Sequence, residues 1–452
     1  MPFTRYKKYQ FKEGKNNDLN GNDITDEWIF LGTDVDPDDY YTSNELIDGF
    51  IPQDEIEKAL RSPILKKYKK FYLLYEDENV KEDITDMVLE DGSLEKSSET
   101  GQSRSINITL LNEKKKVLIG RDKDGNGVYE ERYLWTPTPN QSKFWYYNKI
   151  KVVSGIIVGN TRYEVDEGIF IMFDPSLKSD ETSETVSLQL YDKYALIDGT
   201  INGSDDLDYE VPLNTPIERA VKSLIRLPKN NRGEPYDFKD IIFPLKHKDA
   251  KTAYTIKKTS DNSIGELITE LCKSISCDAK YDVLGHLTVI DSLADLDYHN
   301  RKVAWHFQDG EFKNPTAKIS RSKIKNKVTV KGANINGILS SAIVENTNPL
   351  SNYNVNSDFG IKGIVIEDNL INGNYLCRER ARYELKKYAQ NYVSIDFECI
   401  YIPHIEPGDI VIWSYPKWGI ENQEFLVNSV SIPNKGTEWM NISITNINEL
   451  PL

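Results

Sequence analysis

Carboxylates dominate the potential chemistry of this chain, which has 71 aspartate and glutamate residues among 452. Residues 122–127 (DKDGNG) begin like a calcium-binding loop, with oxygen ligands at the first, third and fifth positions and glycine at the sixth. The twelfth position is Tyr133, where such a loop needs a bidentate glutamate. Because Asp, Asn and Gly are also what a tight hairpin turn requires, a plain turn is the favoured interpretation.

Other potential metal ligands lack a recognisable spacing. The acidic stretch 34–39 and the group Asp205, Asp206 and Asp208 could in principle bind a cation, but solvated loops are the better interpretation. The five histidines are far apart, without His-Glu-x-x-His or Cys-His spacing, so a zinc site would depend on tertiary coincidence. They are His247, His286, His299, His306 and His404. We therefore expect no metal ligands.

No catalytic motif is recognisable. The chain has no Gly-x-Ser-x-Gly nucleophile elbow, no phosphate-binding loop and no dinucleotide fingerprint. Hydrolysis by a pair of carboxylic acids is neither supported nor excluded, because carboxylates are abundant throughout. The sequence predicts no catalytic residue, no cofactor and no enzymatic activity.

Two clusters of side chains suggest binding surfaces. Trp413, Tyr415 and Trp418 surround Pro416 and are expected to be exposed, where they would serve as core lids or as anchors in a protein interface. A basic run alternates with valines, which favours a strand with one solvated face over a nucleic-acid stripe, since no stacking aromatics are interleaved. It comprises Lys318, Arg321, Lys323, Lys325, Lys327 and Lys331.

Composition excludes several classes of protein. The net charge of -15 disfavours binding to a phosphate backbone, which needs a basic footprint. No run approaches the ~18 apolar residues that span a bilayer. Residues 1–8 are basic, but no apolar core follows as in a secretory signal. Four irregularly spaced cysteines indicate reduced, buried thiols in a protein made in a cytosol. These are Cys272, Cys277, Cys377 and Cys399.

The elements that would position these residues include a repeated strand pattern, at 150–199 and again at 399–447. Each copy contains three short β-branched or aromatic runs of period two, bounded by Gly, Pro, Asn or Asp. The runs are 151–158, 167–173 and 185–191 in the first copy, and 407–413, 425–432 and 439–445 in the second. This pattern predicts a duplicated antiparallel β-domain.

Four segments are predicted, in keeping with the two to four domains expected for this length. Residues 1–85 form a separate extension, with a helix from Asp54 to Leu60 and a strand at 71–75. Residues 86–207 are the first β-domain, which includes a polar, mobile loop at 92–105 and a hairpin with its turn at 125–127.

The remaining two segments contain helices. Residues 208–317 are an α+β domain with a helix capped by Thr215 and a second helix that begins with a capping box of Ser263 and Glu266. Residues 318–452 are the second β-domain, with one long helix from about Asn374. The predicted fold class is therefore α+β, mainly β and multidomain.

Five segments, in their order along the chain, resemble the central baseplate hub proteins of tailed bacteriophages of Gram-positive hosts. They are 144–155 (FWYYNKIKVVSG), 167–174 (EGIFIMFD), 191–199 (YDKYALIDG), 401–411 (YIPHIEPGDIV) and 425–433 (FLVNSVSIP). Tail-associated proteins of long non-contractile tails share this hub fold. The resemblance covers residue 106 to the C-terminus, and residues 1–85 do not match.

The resemblance implies two β-barrel-like tube domains related by pseudo-symmetry, with the α+β domain between them. Three subunits would present six similar domains to the sixfold tail tube, so the chain would be a homotrimeric structural hub of the virion tail tip, assembled in the bacterial host cytoplasm. Its implied partners are a tail tube or distal tail protein above, a central spike, fibre or tail lysin below, surrounding wedge proteins and the tape measure protein. DNA would pass through an acidic lumen without specific binding, and no membrane is involved.

A second hypothesis belongs to another class of function. The abundant carboxylates and the aromatic group at 413–418 are compatible with a peptidoglycan hydrolase or a glycan-binding module of the tail tip. Related hubs sometimes carry such a region after the second tube domain. Because this sequence stops directly after that domain, we expect a partner protein to carry the activity instead.

Overall fold

The computed structural model describes eighteen stretches of the chain. They are residues 7–12, 27–33, 53–89, 92–98, 101–121, 126–133, 135–136, 148–181, 183–204, 208–258, 262–291, 303–319, 324–335, 337–351, 353–369, 371–390, 393–434 and 439–447. The acidic stretch 34–39, Asp205, Asp206 and residues 122–125 of the calcium-like loop lie outside them.

Strands make up most of the described residues before position 200. They are β1 (Lys7–Lys12), β2 (Glu27–Thr33), β3 (Leu65–Leu74), β4 (Val80–Asp83), β5 (Ser93–Ser97), β6 (Arg104–Leu111), β7 (Lys114–Arg121), β8 (Gly127–Tyr133), β9 (Lys149–Val158), β10 (Thr161–Ser179) and β11 (Glu184–Asp192). Helix α1 (Gln53–Leu60) precedes β3. β7 and β8 form the predicted hairpin as a separate pair of strands.

Helices and short strands alternate in the middle of the chain, and strands return after residue 300. The middle elements are β12 (Tyr209–Val211), α2 (Ile217–Ile225), β13 (Ile256–Lys258), α3 (Ile264–Lys273), β14 (Cys277–Tyr281) and β15 (Leu287–Asp291). The last are β16 (Val303–His306), β17 (Phe312–Ile319), β18 (Lys327–Ile335), β19 (Ile338–Glu345), β20 (Gly363–Glu367), α4 (Asn374–Gln390), β21 (Val393–Cys399), β22 (Ile410–Tyr415), β23 (Ile420–Pro433) and β24 (Met440–Asn446).

The described elements confirm a mainly β, multidomain chain. Its largest sheet has 15 strands, and smaller sheets of two or three strands stand apart from it. None of the helices that the structure describes is both long and apolar enough to cross a membrane.

The large sheet contains two sets of strands in matching order. One set runs β5-β6-β11-β10-β9-β3, and the other runs β17-β21-β24-β23 and continues through β22 to β16. Both are built around a three-stranded antiparallel meander with a long, bulged middle strand, β10 or β23. The sets differ at one pair, since β3–β9 is antiparallel and β16–β22 is parallel. The repeated pattern in the sequence thus corresponds to two similarly ordered sets of strands.

Strand β5 joins the two sets. It pairs with β6 of its own set and with residues 429–433 of β23 in the other. The expectation of a mobile loop at 92–105 is therefore wrong for Ser93–Ser97. Leu94 is fully buried in the core that both sets share, and Lys96 is buried among carboxylates. The polar composition of this stretch concealed a central strand.

The expectation that residues 1–85 form a separate extension is also wrong for their described strands. β3 pairs with β9 from Leu65 to Leu73, and β1 pairs with the start of β10. Phe71 and Leu73 alternate into the shared core, fully buried, because β3 has one apolar face. This region is therefore part of the large sheet.

The middle region has its own core, formed by α2, α3 and the hairpin β14–β15. The predicted capping box of Ser263 and Glu266 is present at the start of α3. Helix α2 begins one residue later than predicted, with Pro216 at the N-cap. The hydroxyl of Thr215 donates a hydrogen bond to the carbonyl of Pro212.

The long helix α4 belongs to a small module rather than to the large sheet. Its buried Cys377, Ala381 and Leu385 pack against Val328 and Val330 of the three-stranded sheet β19-β18-β20. The strands within 318–452 are thus divided between two sheets.

Candidate functional site: a buried charge network between the two strand sets

The aromatic group at 413–418 is mainly part of the core. Trp413 is fully buried and stacks between Phe397 and Tyr415, with ring centroids 5.4 and 5.5 Å apart. Its expected exposure is therefore wrong, because β22 turns this side chain towards the shared core. Trp418 is 42% exposed and lies edge-on to Tyr415. The core-lid interpretation fits this arrangement.

The four described histidines are in unrelated environments. Burial lowers the pKa of His404 to about 4, although the Ala304 carbonyl opposes the shift. His306 is exposed. His286 lies 3.3 Å from Asp282, and His247 lies 3.2 Å from Asp291. His299 is outside the described residues. The four cysteines are buried and unpaired with one another, as the sequence predicts.

A network of buried charges is centred on Lys96 of β5. Its ammonium nitrogen lies 2.6 Å from Glu167 of β10 and 2.9 Å from Glu406, which precedes β22. All three side chains are at most 3% exposed. Lys96 also donates a hydrogen bond to the carbonyl of Pro403. One lysine therefore contacts both strand sets through fully desolvated charges.

Arg104 of β6 extends the network into the middle region. Its guanidinium lies 2.6 Å from Glu406 and donates a hydrogen bond of 2.8 Å to the carbonyl of Tyr281 in β14. Asp192, at the end of β11, accepts hydrogen bonds from the backbone amides of Ser103, Arg104 and Tyr194. The two strand sets and the hairpin β14–β15 thus meet at one group of side chains.

The pKa values at this junction reflect burial and charge. Burial alone would raise the pKa of Glu406, but Arg104 and Lys96 lower it to about 2. Burial raises the pKa of Asp192 to about 6 despite its amide hydrogen bonds. Burial lowers the pKa of Lys69 to about 7, and its ammonium donates to the carbonyl of Ile432.

A second cluster is centred on Glu78, in the turn between β3 and β4. Its carboxylate lies 2.6 Å from Lys149, 2.8 Å from Lys193 and 2.6 Å from Lys239. Lys193 also pairs with Asp237 at 2.9 Å. Burial raises the pKa of Glu78, but Lys193 and Lys149 outweigh it and lower the pKa to about 2. This cluster fastens the large sheet to the middle region.

The side chains of both clusters hold parts of the fold in position. Glu167 and Glu406 are buried beside cationic side chains, so neither carboxylate is accessible to a glycan. Buried ion pairs of this kind select one arrangement of the elements that carry them, because any other arrangement leaves a buried charge unpaired. We therefore interpret the network as the device that fixes the two strand sets relative to each other.

Sequence reasoning did not find this network. A signal was present at Glu167, a charged residue directly before the apolar run of β10. The sequence gives little indication that Lys96 is buried, since it lies in a stretch of serines and charged residues. Partners separated by 310 residues, such as Lys96 and Glu406, cannot be paired from one sequence.

Comparison with known proteins gives a shared fold. The sequence matches no protein-family model and no curated protein. The 43 kDa tail protein of prophage MuSo2 from Shewanella oneidensis superposes with a TM-score of 0.54 at 13% identity, covering 84% of this chain and 98% of that one. A tail protein from Neisseria meningitidis gives a TM-score of 0.52 at 8% identity, covering 84% and 96%. Neither likeness supports the Gram-positive host expected from the sequence.

Proposed function

We propose that this chain is a structural component of a bacteriophage tail, and that it forms the homotrimeric hub at the tail tip. The fold shared with two tail proteins supports the first part. The observation that carries the second is the junction of β5 with β23, because the counterparts of these two edges, β17 and the end of β10, have no strand on the corresponding side among the described residues.

The site on β23 where β5 pairs has an equivalent site on β10 of the first set. In β23, residues 425 and 426 pair with both neighbours, β22 and β24, and β5 follows at 429–433 on the β22 side. In β10, residues 170 and 171 pair with both β9 and β11. Residues 174–178 are therefore the counterpart of the β5 site.

The counterpart edges lack partners in the part of the chain that the structure describes. Beyond Ile171, β10 pairs with β11 alone, and residues 174–179 are exposed. Strand β17 holds the place of β5 in the second set and pairs with β21 alone. Exposed, unpaired edges readily accept another strand.

The two open edges are complementary between copies of the chain. If β17 of one copy adds to residues 174–178 of the next, the contact between chains repeats the β5–β23 contact within a chain. Such a contact is heterologous, and heterologous contacts form rings when the rotation closes. Three copies then place six strand sets in a ring, which suits a sixfold tube above and a threefold spike or fibre below.

As a hub, the chain would contact the partners that the resemblance implies. The ring would surround the channel for DNA and the tape measure protein, between a tail tube or distal tail protein and the central spike, fibre or tail lysin, with wedge proteins outside. A net charge of -15 on each copy suits a lumen that DNA crosses without adhering. In this role the chain acts without catalysis.

Cryo-electron microscopy of assembled tails tests the proposal. We expect three copies on the tail axis, with β17 of each beside β10 of its neighbour. A different copy number, or a ring in which these strands do not meet, would contradict it.

A solution experiment addresses the contact itself. Leu177→Asp places a charge at the proposed interface, whereas Ile338→Asp changes an exposed residue of β19, which belongs to a different sheet. Light scattering coupled to size exclusion should show that only Leu177→Asp weakens trimers of the chain.

A further inference from the structure

Three potential metal ligands converge at one edge of the middle region. Cys277 begins β14 and Asp291 ends β15, and the two are cross-strand partners. His247 reaches the same place from the 3₁₀ turn Leu245–His247. Among the described residues, they form the single group of three or more His, Cys, Asp or Glu side chains with converging donor atoms.

The spacing of the donor atoms fits tetrahedral coordination. His247 Nε2 lies 3.2 Å and Cys277 Sγ lies 3.8 Å from Asp291 Oδ1, and all three donors are within 4.8 Å of one another. Zinc bonds of about 2.0–2.3 Å at tetrahedral angles place nitrogen and oxygen ligands about 3.4 Å apart, and sulfur and oxygen ligands about 3.6 Å apart. An ion can therefore enter with small adjustments of the side chains.

The surroundings favour one class of ion. Lys246 holds the other carboxylate oxygen of Asp291 at 2.8 Å, which orients Oδ1 towards His247 and Cys277. A thiolate, an imidazole and one carboxylate suit zinc, whereas calcium and magnesium prefer all-oxygen sites. His247 and Asp291 are 23% and 27% exposed, which gives an ion access from solvent.

We propose that His247, Cys277 and Asp291 bind a zinc ion, with the fourth position taken by water or by a donor from a neighbouring protein. Binding displaces the thiol proton of Cys277 to solvent and leaves a zinc–thiolate bond. The ion fastens the turn at 245–247 to the open end of the β14–β15 hairpin. This site is independent of the hub proposal, since it involves neither strand set.

Titration of the full-length, reduced protein with Co²⁺, followed by competition with Zn²⁺, tests the site. We expect a thiolate-to-cobalt charge-transfer band that saturates at one cobalt per chain and is abolished by zinc. Cys277→Ser should remove the band, while His247→Asn and Asp291→Asn should weaken cobalt binding at least tenfold. Circular dichroism verifies that each variant is folded.

Matched control variants distinguish binding at this site from non-specific metal binding. His286→Asn removes the other described His–Asp pair, and Cys377→Ser removes a buried thiol of the α4 module. Both should bind cobalt as the parent chain does. Absence of the band from the parent chain, its survival in Cys277→Ser, or unchanged affinity in both His247→Asn and Asp291→Asn would overturn the proposal.

Discussion

The ammonium nitrogen of Lys96 lies 2.9 Å from Oε1 of Glu406, although 310 residues separate the two along the chain. Lys96 belongs to the strand that joins the two strand sets, and Glu406 leads into the second meander. Because both side chains are buried, removal of either one would leave the other charge without a partner and without water to solvate it. Their pairing is a buried contact between the two strand sets.

Replacement of Lys96 by methionine should strongly destabilise the protein. The change leaves Glu167 without its lysine partner and Glu406 with Arg104, and loss of one partner from a buried ion pair costs about 3–5 kcal/mol. Urea denaturation of the parent and variant chains measures the difference in the free energy of unfolding.

Two further variants make that measurement specific. Adding Glu167→Gln to Lys96→Met should recover part of the stability, because the unpaired charge is removed. Glu210→Gln breaks the half-exposed pair with Lys257 and should change the free energy by about 0–1 kcal/mol. Equal losses for Lys96→Met and Glu210→Gln would contradict the role of burial.

Acid should destabilise the junction in a defined window of pH. The pKa of Glu406 is about 2 in the folded chain, below its ordinary value of 4.5, so its contribution is complete above about pH 4.5 and is lost as pH falls towards 2. The shift corresponds to about 3 kcal/mol. Asp192, with a pKa of about 6, acts oppositely and favours the folded state as pH falls through 6.

Unfolding free energies measured between pH 6 and pH 2.5 in the parent chain and in Glu406→Gln check this assignment. The variant should be less stable near pH 6 and should show a shallower decline below pH 4.5. Parallel curves would show that Glu406 does not contribute to the acid sensitivity.

Trp413→Ala should be far more damaging than Trp418→Ala. Trp413 is enclosed by Phe397, Phe312 and Phe425, and removal of a buried aromatic side chain costs about 3–5 kcal/mol. Trp418 is partly exposed, so its truncation should cost under about 1 kcal/mol. Thermal unfolding followed by near-ultraviolet circular dichroism reports both the stability and the order of the aromatic core.

Gly203→Ala should destabilise the start of α3. Gly203 has a φ of +95°, and a Cβ there would lie 2.1 Å from the carbonyl oxygen of Ile197. Its own carbonyl accepts a hydrogen bond from the amide of Ile264. Gly233→Ala is the matched control, since its φ is +79° with no atom within 4 Å of the added Cβ. The control should lose about 1–2 kcal/mol from backbone strain alone, and Gly203→Ala more, by urea midpoint.

Local patterns accounted for much of the secondary structure. The apolar stripes of α2 and α3, the capping box at Ser263 and the hairpin β14–β15 were all predictable, because each depends on residues within a few positions of one another. The repeat was also visible, since its runs keep a period of two. The strand patterns among these features define the mainly β fold class.

The sequence could not predict what depends on distant partners. Ser93–Ser97 resembles a loop by composition, and pairing with β6 and with the distant β23 makes it a strand. In the sequence Trp413 resembles an exposed anchor, but in the fold it is stacked between Phe397 and Tyr415. The buried charges were missed for the same reason, as was the convergence of His247 with Cys277 and Asp291.

The order of synthesis gives the joining strand a consequence for how this protein matures. Glu95 of β5 is made 336 residues before Ser431, the β23 residue that accompanies it in the sheet. During translation, the edge of β5 that pairs with β23 has no partner strand until the middle region and the α4 module have been synthesised. An unpaired edge of this kind can mispair with other nascent chains. A ribosome-bound chain stalled before residue 429 should therefore aggregate more readily than one released after residue 433.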